Sequence, residues 1–286
     1  MSEFVAGLPG SSGQFHPRNL TRTAVGAYLD KLLEEAYSTT HQERVKVVIN
    51  GFAQWLIAEG ELRANPTCGI TIPAQALLAP RELSKDQRIV LRNLIERATD
   101  GGDLRGAAMF ALGYWAGCRV SDVSHLLLQN ASVGPKMGKL TVGYKQGKYR
   151  DILLLNLARN PLYTYLQQGK RERSSAYVFT SQRETTPAPE DDLDGWRLSE
   201  KGIHQWFGAL KRTATTEEWP YIQDVTFHDL RHDFAHRAKQ AGLEDGELAV
   251  YLGHITKRGT PSIQTTARYT QPSMDQVKEK LTKMKG

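Results

Sequence analysis

Five polar side chains along the sequence have the types that transfer of a phosphoryl group requires. Arg119 stands in GCRVSDV, His228 and Arg231 stand three apart in HDLRHDFA, His254 follows LG, and Tyr269 stands in SIQTTARYT. An arginine offers paired N–H donors that fit phosphate oxygens in a geometry that lysine cannot copy. A histidine can accept or supply a proton, and a tyrosine oxygen can attack phosphorus and form an ester. These types together indicate phosphoryl transfer.

Each of these residues, taken alone, also has an ordinary structural interpretation. An isolated arginine is usually a surface ion-pair partner, and a tyrosine is far more often a packing residue than a nucleophile. A histidine in LGH can merely cap the preceding helix. A motif of this kind is weak one residue at a time. The prediction therefore depends on their joint occurrence in this order.

Local patterns place these side chains at helix ends. His228 and Arg231 project from one face near the start of a predicted helix, where free N–H groups and the helix dipole favour a bound phosphate. A second helix is predicted from about Asp245 to Leu252 and ends at Gly253, so the next residue leaves on a sharp turn. Arg119 lies at a helix junction, just before a plausible N-cap at Ser121.

A hairpin is predicted between these helical segments. KLTVGY and YRDILLL have strand-like patterns, and the turn between them carries Lys145 and Lys148. Hairpin lysines are usually just solvated, but a lysine there could also reach a substrate.

The remaining patterns predict two helix-rich domains. Residues 1–18 resemble a flexible tail, 19–70 a small helical domain, 71–82 a linker and 83–286 a larger α-rich domain with a small antiparallel sheet. Thr40 with Glu43 and Ser84 with Gln87 have capping-box spacing. The second helix of the small domain is expected to bury one face, formed by Val48, Ile49, Phe52, Trp55 and Leu56.

Composition favours a polyanionic partner without identifying one. The chain has 37 Lys and Arg against 31 Asp and Glu, a formal charge of +6, which attracts polyanions.

No apolar stretch is long enough for a membrane span, and the N-terminus lacks a secretory pattern. Cys68 and Cys118 have no metal-ligand or redox spacing and are expected to be buried thiols. A cytoplasmic protein with no membrane partner is predicted.

GCRVSDV, a hairpin with lysines at its tip, HDLRHDFA, LGH and SIQTTARYT, in this order, resemble the signature of the tyrosine recombinase (phage integrase-like) family. HxxR alone is a weak signal, whereas the five elements together are specific. The resemblance extends from about residue 19 to residue 286, because the N-terminal helical segment is similar to the family's core-binding domain. It implies two domains that form a C-shaped clamp on duplex DNA.

The resemblance also implies roles for individual residues. Asp122 corresponds to an acidic residue that supports the Arg119 turn, and Lys148 is the alternative to Lys145 as the hairpin lysine. The implied catalytic residues are the nucleophile Tyr269 with Arg119, Lys145, His228, Arg231 and His254. The implied enzyme is a metal-independent site-specific recombinase or integrase of a mobile or chromosomal element, which needs no cofactor. It forms a 3′-phosphotyrosyl ester, exchanges strands through a Holliday junction and acts as a homotetramer on two DNA sites.

Two features depart from the family pattern. His254 and Tyr269 are 15 residues apart, more than in typical members, and the extra residues look like a loop from Lys257 to Pro261. This leaves open whether the tyrosine serves its own active site or that of a neighbour. Asp233 stands where a small or hydroxyl residue is common, and its charge is expected to weaken phosphate affinity locally.

Three alternatives remain open. A C-terminal helix, 273–285, either folds onto its own domain or docks into the next subunit. A type IB topoisomerase has the same catalytic constellation and relaxes DNA as a monomer. A catalytically silent DNA-binding accessory protein would retain the basic charge without the reaction.

Overall fold

Helices dominate this chain. The computed structural model describes residues 15–73, 82–143, 149–168, 175–181, 196–256, 258–267 and 270. The chain divides into two compact units, Met1–Leu78 and Ala79–Gly286, each with its own hydrophobic core. The second unit contains a three-stranded antiparallel sheet, so the predicted mainly α fold with a small antiparallel sheet is confirmed. None of the described helices is both long and apolar enough to cross a bilayer.

The first unit is built around two helices. A 3₁₀ turn, Pro17–Asn19, precedes α1 (Arg22–Glu34) and α2 (Thr39–Ala58). Apolar side chains that recur at helical intervals face each other between the two helices, where they leave water together. The buried residues of this core are Leu20, Ala24, Val25, Leu29, Leu32, Ile49, Ala53 and Leu56.

Helix α2 differs from its prediction at its start and on its buried face. Ser38, and not Thr40, caps the helix, because Ser38 Oγ accepts a hydrogen bond of 3.2 Å from the backbone N–H of His41. Val48 and Trp55 are each 55% exposed, so the buried stripe of α2 is narrower than the apolar pattern predicted.

The two cysteines also differ from each other. Cys118 is buried as expected, whereas Cys68 is exposed. Cys68 lies in a turn after Pro66 and donates its backbone N–H to Asn65 O at 3.2 Å. The prediction that both thiols are buried was therefore wrong for Cys68.

The second unit holds the other helices. They are, in chain order, α3 (Lys85–Asp100), α4 (Leu104–Tyr114), α5 (Val120–Ser124), α6 (Asn156–Gln168), α7 (Glu200–Lys211), α8 (Trp219–Ile222), α9 (Phe227–Gln240), α10 (Asp245–Leu252) and α11 (Ile263–Ala267). Helix α4 is apolar and buried over most of its length, and it contacts α3, α6 and α9. The predicted capping box of Ser84 with Gln87 starts α3 and is confirmed.

The sheet lies between α5 and α6 in the chain, after a 3₁₀ turn, Leu128–Asn130. Its strands are β1 (Ala131–Val133), β2 (Gly138–Val142) and β3 (Arg150–Leu153), in the order β1-β2-β3 with antiparallel pairing. Strands β2 and β3 form the predicted hairpin, in which the buried side chains of Leu140 and Ile152 are direct partners. Strand β1 was not predicted.

Candidate active site

Arg119 is held in a turn at the start of α5. Its backbone N–H donates to Asp122 Oδ2 at 2.8 Å, so Arg119 itself, and not Ser121, is the N-cap residue. Its side chain points across to another segment, because Arg119 Nη2 donates to the carbonyl oxygen of Gly253 at 3.3 Å. This bond joins the turn before α5 to the end of α10.

Arg231 is buried in α9 and binds the same end of α10. Its Nη2 donates to Leu252 O at 2.7 Å and contacts His254 Nε2 at 3.2 Å. Its Nη1 donates to Gly117 O at 2.5 Å, two residues before Arg119. The side chain is 0% exposed, so these acceptors replace the water that the guanidinium loses. The structure thus brings Arg119 and Arg231 together around the Leu252–His254 turn.

His254 follows a left-handed residue, Gly253, with φ of 68°, as the predicted helix end requires. An arginine side chain has only donors, so the Nε2 of His254 accepts from Arg231 and its Nδ1 carries the hydrogen. Nδ1 then donates to Thr266 Oγ1 at 3.0 Å. Burial, followed by the charges of Arg231 and Arg119, lowers the pKa of His254 to about 3. His254 is therefore neutral at physiological pH.

Thr266 links this histidine to the segment that contains the predicted nucleophile. It lies in α11, is fully buried, and also donates its hydroxyl to Ser262 O at 3.2 Å. Thr270 donates its hydroxyl to Thr266 O at 3.3 Å. Tyr269 lies outside the described residues, but described residues on both sides of it contact the His254 site.

The extra residues after His254 form a closed turn. Ile255 and Pro261 pair as an isolated antiparallel bridge, and the backbone N–H of Thr256 donates to Thr260 O at 2.9 Å. At the base of this turn Ser262 N donates to His254 O at 2.6 Å. The hydrogen bond between Ser262 and His254 thus closes the predicted loop at its base, next to the site.

His228 lies in the first turn of α9, half-buried, with its ring centroid 4.7 Å from that of His232 in an edge-on contact. Thr226 caps this helix together with Asp229, as a capping box. His228 therefore lies one helical turn before Arg231, as predicted. Lys145 and Lys148 lie outside the described residues.

Arg150 belongs to this cluster and was missed by the sequence reasoning. Its Nη2 forms an ion pair of 2.6 Å with Asp122 Oδ2, and its Nε donates to Tyr251 O at 3.0 Å. A signal did exist, because Arg150 is two residues from the buried Ile152 and alternate residues of a strand share a face. A cation on the same face of a strand as a buried residue needs an anionic or hydrogen-bonding partner.

Asp233 binds other groups than Arg119 and Arg231, which corrects the expectation that it weakens phosphate affinity. Its buried carboxylate accepts from Arg88 Nε at 2.9 Å, Arg237 Nε at 2.8 Å and the backbone N–H of Leu83 at 3.2 Å. Two guanidiniums neutralise its charge. Asp233, in α9, therefore binds Leu83 and Arg88 at the start of the second unit and holds them against this helix.

A cleft open to solvent borders the cluster, and its lining includes Arg119, Asp122, Arg150 and Gly253. One side of the cationic cluster is thus accessible to a ligand. Within the described part of the chain, no group of three or more His, Cys, Asp and Glu side chains gathers as metal ligands do.

Known proteins share both the sequence pattern and the fold. The model of the phage integrase family matches residues 83–276. Tyrosine recombinase XerD of Halalkalibacterium halodurans is 26% identical over 92% of this chain and 81% of that protein. Tyrosine recombinase XerC of Neisseria gonorrhoeae is 24% identical over 96% and 82%.

Three solved structures have a similar fold. The XerH site-specific recombinase bound to a palindromic difH substrate superposes with a TM-score of 0.69 at 15% identity, over 95% of this chain and 72% of that chain. The Tn1549 transposon integrase in complex with circular intermediate DNA gives 0.65 at 15% identity, over 93% and 86%. A lambda integrase tetramer bound to a Holliday junction gives 0.57 at 16% identity, over 82% and 64%.

The family match covers more than half of the chain, and the geometry brings its signature residues Arg119, Arg231 and His254 together. The chain belongs to the phage integrase family and is a tyrosine site-specific recombinase.

Proposed function

We propose that this recombinase cuts and rejoins duplex DNA through a phosphotyrosyl ester on Tyr269. The observation that carries the proposal is the convergence of Arg119 and Arg231 on one turn, where they donate to Gly253 O and Leu252 O. Two arginines that converge on one turn are placed to act together on the non-bridging oxygens of one phosphate. A phosphodiester gains negative charge as a fifth oxygen approaches phosphorus, and fixed guanidiniums stabilise that charge.

The covalent step is an exchange of oxygens at one phosphorus atom. The Tyr269 oxygen forms a bond to phosphorus while the bond from phosphorus to the 5′-oxygen breaks, which leaves a 3′-phosphotyrosyl ester. Attack by a 5′-hydroxyl on that ester reverses the step and rejoins the strand. The ester retains the bond energy, so neither ATP nor a metal ion is required.

Two proton transfers accompany this exchange. His254 has both ring nitrogens engaged, Nε2 by Arg231 and Nδ1 by Thr266. His228 is therefore the better acceptor for the phenol proton, and His254 fixes the neighbouring arginine. Lys145, on the chain between β2 and β3, supplies the proton to the 5′-oxygen, with Lys148 as the alternative.

The assembly that carries out strand exchange is a homotetramer on two DNA sites, acting in the cytoplasm through a Holliday junction. The lambda integrase of similar fold is a tetramer on such a junction, which supports this part of the proposal. Sedimentation of the protein with a selected DNA site would test it. A complex of four protomers is expected, and a complex that stays monomeric would contradict it.

The decisive experiment traps the covalent ester. A target is first selected from a random duplex library with Tyr269→Phe protein, which cannot cleave. A duplex with this target and a nick beside the cleaved position then loses a short fragment after cleavage, so the ester accumulates. Wild-type protein should give a DNA adduct on a denaturing gel, with or without EDTA, and Tyr269→Phe should give none.

Three outcomes would contradict the proposed function. Sequence-specific binding without any adduct would indicate a silent DNA-binding protein. Efficient relaxation of a supercoiled plasmid that lacks the selected target would indicate a type IB topoisomerase. An adduct that persists in Tyr269→Phe would show that another residue is the nucleophile.

A further inference from the structure

Arg119 is supported by two residues, one at its backbone and one at its guanidinium. The backbone N–H donates to Asp122 Oδ2 at 2.8 Å, and Nη2 of the side chain donates to Gly253 O at 3.3 Å. A long side chain has many rotamers unless contacts select one of them. The position of Asp122 relative to Gly253 therefore sets the direction in which the Arg119 guanidinium points.

Arg150 binds at both of these supports. Its Nη2 is 2.6 Å from Asp122 Oδ2, the oxygen that also accepts the backbone N–H of Arg119, and its Nη1 is 3.4 Å from Asp122 Oδ1. Its Nε donates to Tyr251 O at 3.0 Å, two residues before Gly253. A guanidinium is planar and rigid. One rigid group therefore fixes the distance between Asp122 and the end of α10.

Strand β3 gives Arg150 a fixed base. Its backbone pairs with Val142, and the buried pair of Leu140 and Ile152 lies two positions further along the ladder. The side chain then passes close to Gly253, where a Cβ would lie 2.8 Å from Arg150 Cδ, closer than real contacts allow. The lack of a side chain on Gly253 thus leaves the space through which Arg150 reaches its acceptors.

The ion pair between Arg150 and Asp122 is mostly buried. The two side chains are only 11% and 4% exposed. Burial alone would raise the pKa of Asp122, but the charge and hydrogen bonds of Arg150, with the backbone N–H of Arg119, outweigh it and lower that pKa. All three guanidinium nitrogens of Arg150 contact acceptors of the protein itself. These contacts indicate a supporting role and not that of a phosphate ligand.

We propose that Arg150 is a positioning residue that holds the Arg119 guanidinium against the phosphate by binding Asp122 and Tyr251 O together. The inference rests on the proposed function, because it takes Arg119 as a ligand of the phosphate that is cleaved. Without Arg150, Asp122 and Gly253 lose their common support, and Arg119 no longer keeps one direction. A misplacement of about 1 Å can reduce a rate by about 100-fold.

The charge of the cleaved phosphate provides the test. In a methylphosphonate, a methyl group replaces one non-bridging oxygen, so the group is neutral and its transition state carries less negative charge. It therefore depends less on a fixed guanidinium. Nicked duplexes with a phosphate or a methylphosphonate at the cleaved position are compared at saturating protein by their rates of adduct formation. A smaller folded fraction changes both rates by the same factor, whereas a misplaced Arg119 slows mainly the charged substrate.

On the phosphate substrate, Arg119→Ala should be slower than wild type by about 100- to 1000-fold, and Arg150→Gln by about 10- to 100-fold. On the methylphosphonate, each should come within about threefold of wild type on that same substrate. Arg88→Gln is the matched control, because it also removes a guanidinium from a buried ion pair, the pair with Asp233. It should change both rates by the same factor.

A double variant distinguishes an indirect role from a direct one. If Arg150 acts through Arg119, then Arg119→Ala combined with Arg150→Gln should be as slow on the phosphate substrate as Arg119→Ala alone. Single effects that multiply in the double variant would overturn the inference and identify Arg150 as an independent phosphate ligand.

An Arg150→Gln defect of equal size on both substrates would overturn the inference, and so would a normal rate on the phosphate substrate. Thermal melting monitors folding. If Arg150→Gln does not fold, Arg150→Lys keeps the charge pair with Asp122 but cannot also reach Tyr251 O, and it is judged by the same comparison of substrates. A wild-type protein that gives no adduct on either substrate would instead refute the proposed function.

Discussion

Arg231 Nη2 lies 3.2 Å from His254 Nε2 and 2.7 Å from Leu252 O. This contact sets the hydrogen positions of the whole site, because the donor-only arginine makes Nε2 an acceptor and leaves the ring hydrogen on Nδ1. The direction of hydrogen bonding then runs from Arg231 through His254 to Thr266 and on to Ser262 O. A permanent cation thus fixes the tautomer of a neutral histidine.

The low pKa of His254 predicts a loss of stability in mild acid. In the unfolded chain a histidine has a pKa of about 6.5, whereas burial and the adjacent arginines lower the pKa of His254 to about 3 in the folded protein. The unfolded state therefore binds more protons between these values, and the free energy of unfolding falls as pH falls through that window. His236, whose pKa burial also lowers, contributes in the same direction. Thermal melts from pH 7 to pH 4 should show a smaller decline for His254→Gln than for wild type, and parallel curves would contradict the assignment.

Replacement of Arg231 by lysine should abolish most cleavage while it preserves the charge. A single ammonium cannot reproduce the fork that contacts Gly117 O, Leu252 O and His254. Adduct formation should fall by at least ~100-fold, by analogy with the loss of one fixed transition-state donor. Arg237→Lys, which alters another arginine of the same helix that binds Asp233, is the matched control and should retain cleavage where it folds.

Thr266 should be necessary through its hydroxyl rather than its volume. Thr266→Val keeps the shape but leaves His254 Nδ1–H without its acceptor, a loss of about 1–3 kcal/mol for a buried polar group. Adduct formation should slow by roughly tenfold, which corresponds to about 1.4 kcal/mol. Thr266→Ser retains the hydroxyl and should restore most of the rate. A slow Thr266→Ser variant beside a Thr266→Val variant of normal rate would contradict the prediction and show that the methyl group matters instead.

Asp233 should be important for folding and not for chemistry. Its removal leaves Arg88 and Arg237 without the buried carboxylate that both bind, which typically reduces stability by about 3–5 kcal/mol. Asp245→Ala breaks the exposed pair with Lys239 and should change stability by no more than about 1 kcal/mol. Urea unfolding of Asp233→Ala and Asp245→Ala measures the contrast. Similar midpoints for the two variants would contradict the structural role.

Local capping chemistry predicted some helix ends correctly, namely Ser84 with Gln87 and the end of α10 at Gly253. At Thr40 and Ser121 the predicted cap lies two residues after the observed one, Ser38 and Arg119. The exposure of Val48 and Trp55 was not predictable in the same way, because apolar residues beside a buried stripe give nearly the same pattern as the stripe itself.

The candidate site was predictable in its residue types but not in its contacts. The order of the motifs grouped Arg119, Arg231 and His254, and the structure brings these three together. The roles of Arg150 and Asp233 depend on partners far away in the chain, such as Tyr251 and Arg88. No local spacing encodes such pairs, so both could be understood only from the folded arrangement.

The hydrogen bond from Ser262 N to His254 O gives the chain a point at which its length can vary. Because this bond closes the turn Ile255–Pro261 at its base, the chain that continues to Thr266 leaves the site at Ser262. Longer loops add little to the free energy of closure, about 0.6 kcal/mol for each doubling. Residues added beside Gly259 are therefore expected to leave the hydrogen bond between His254 and Thr266 in place.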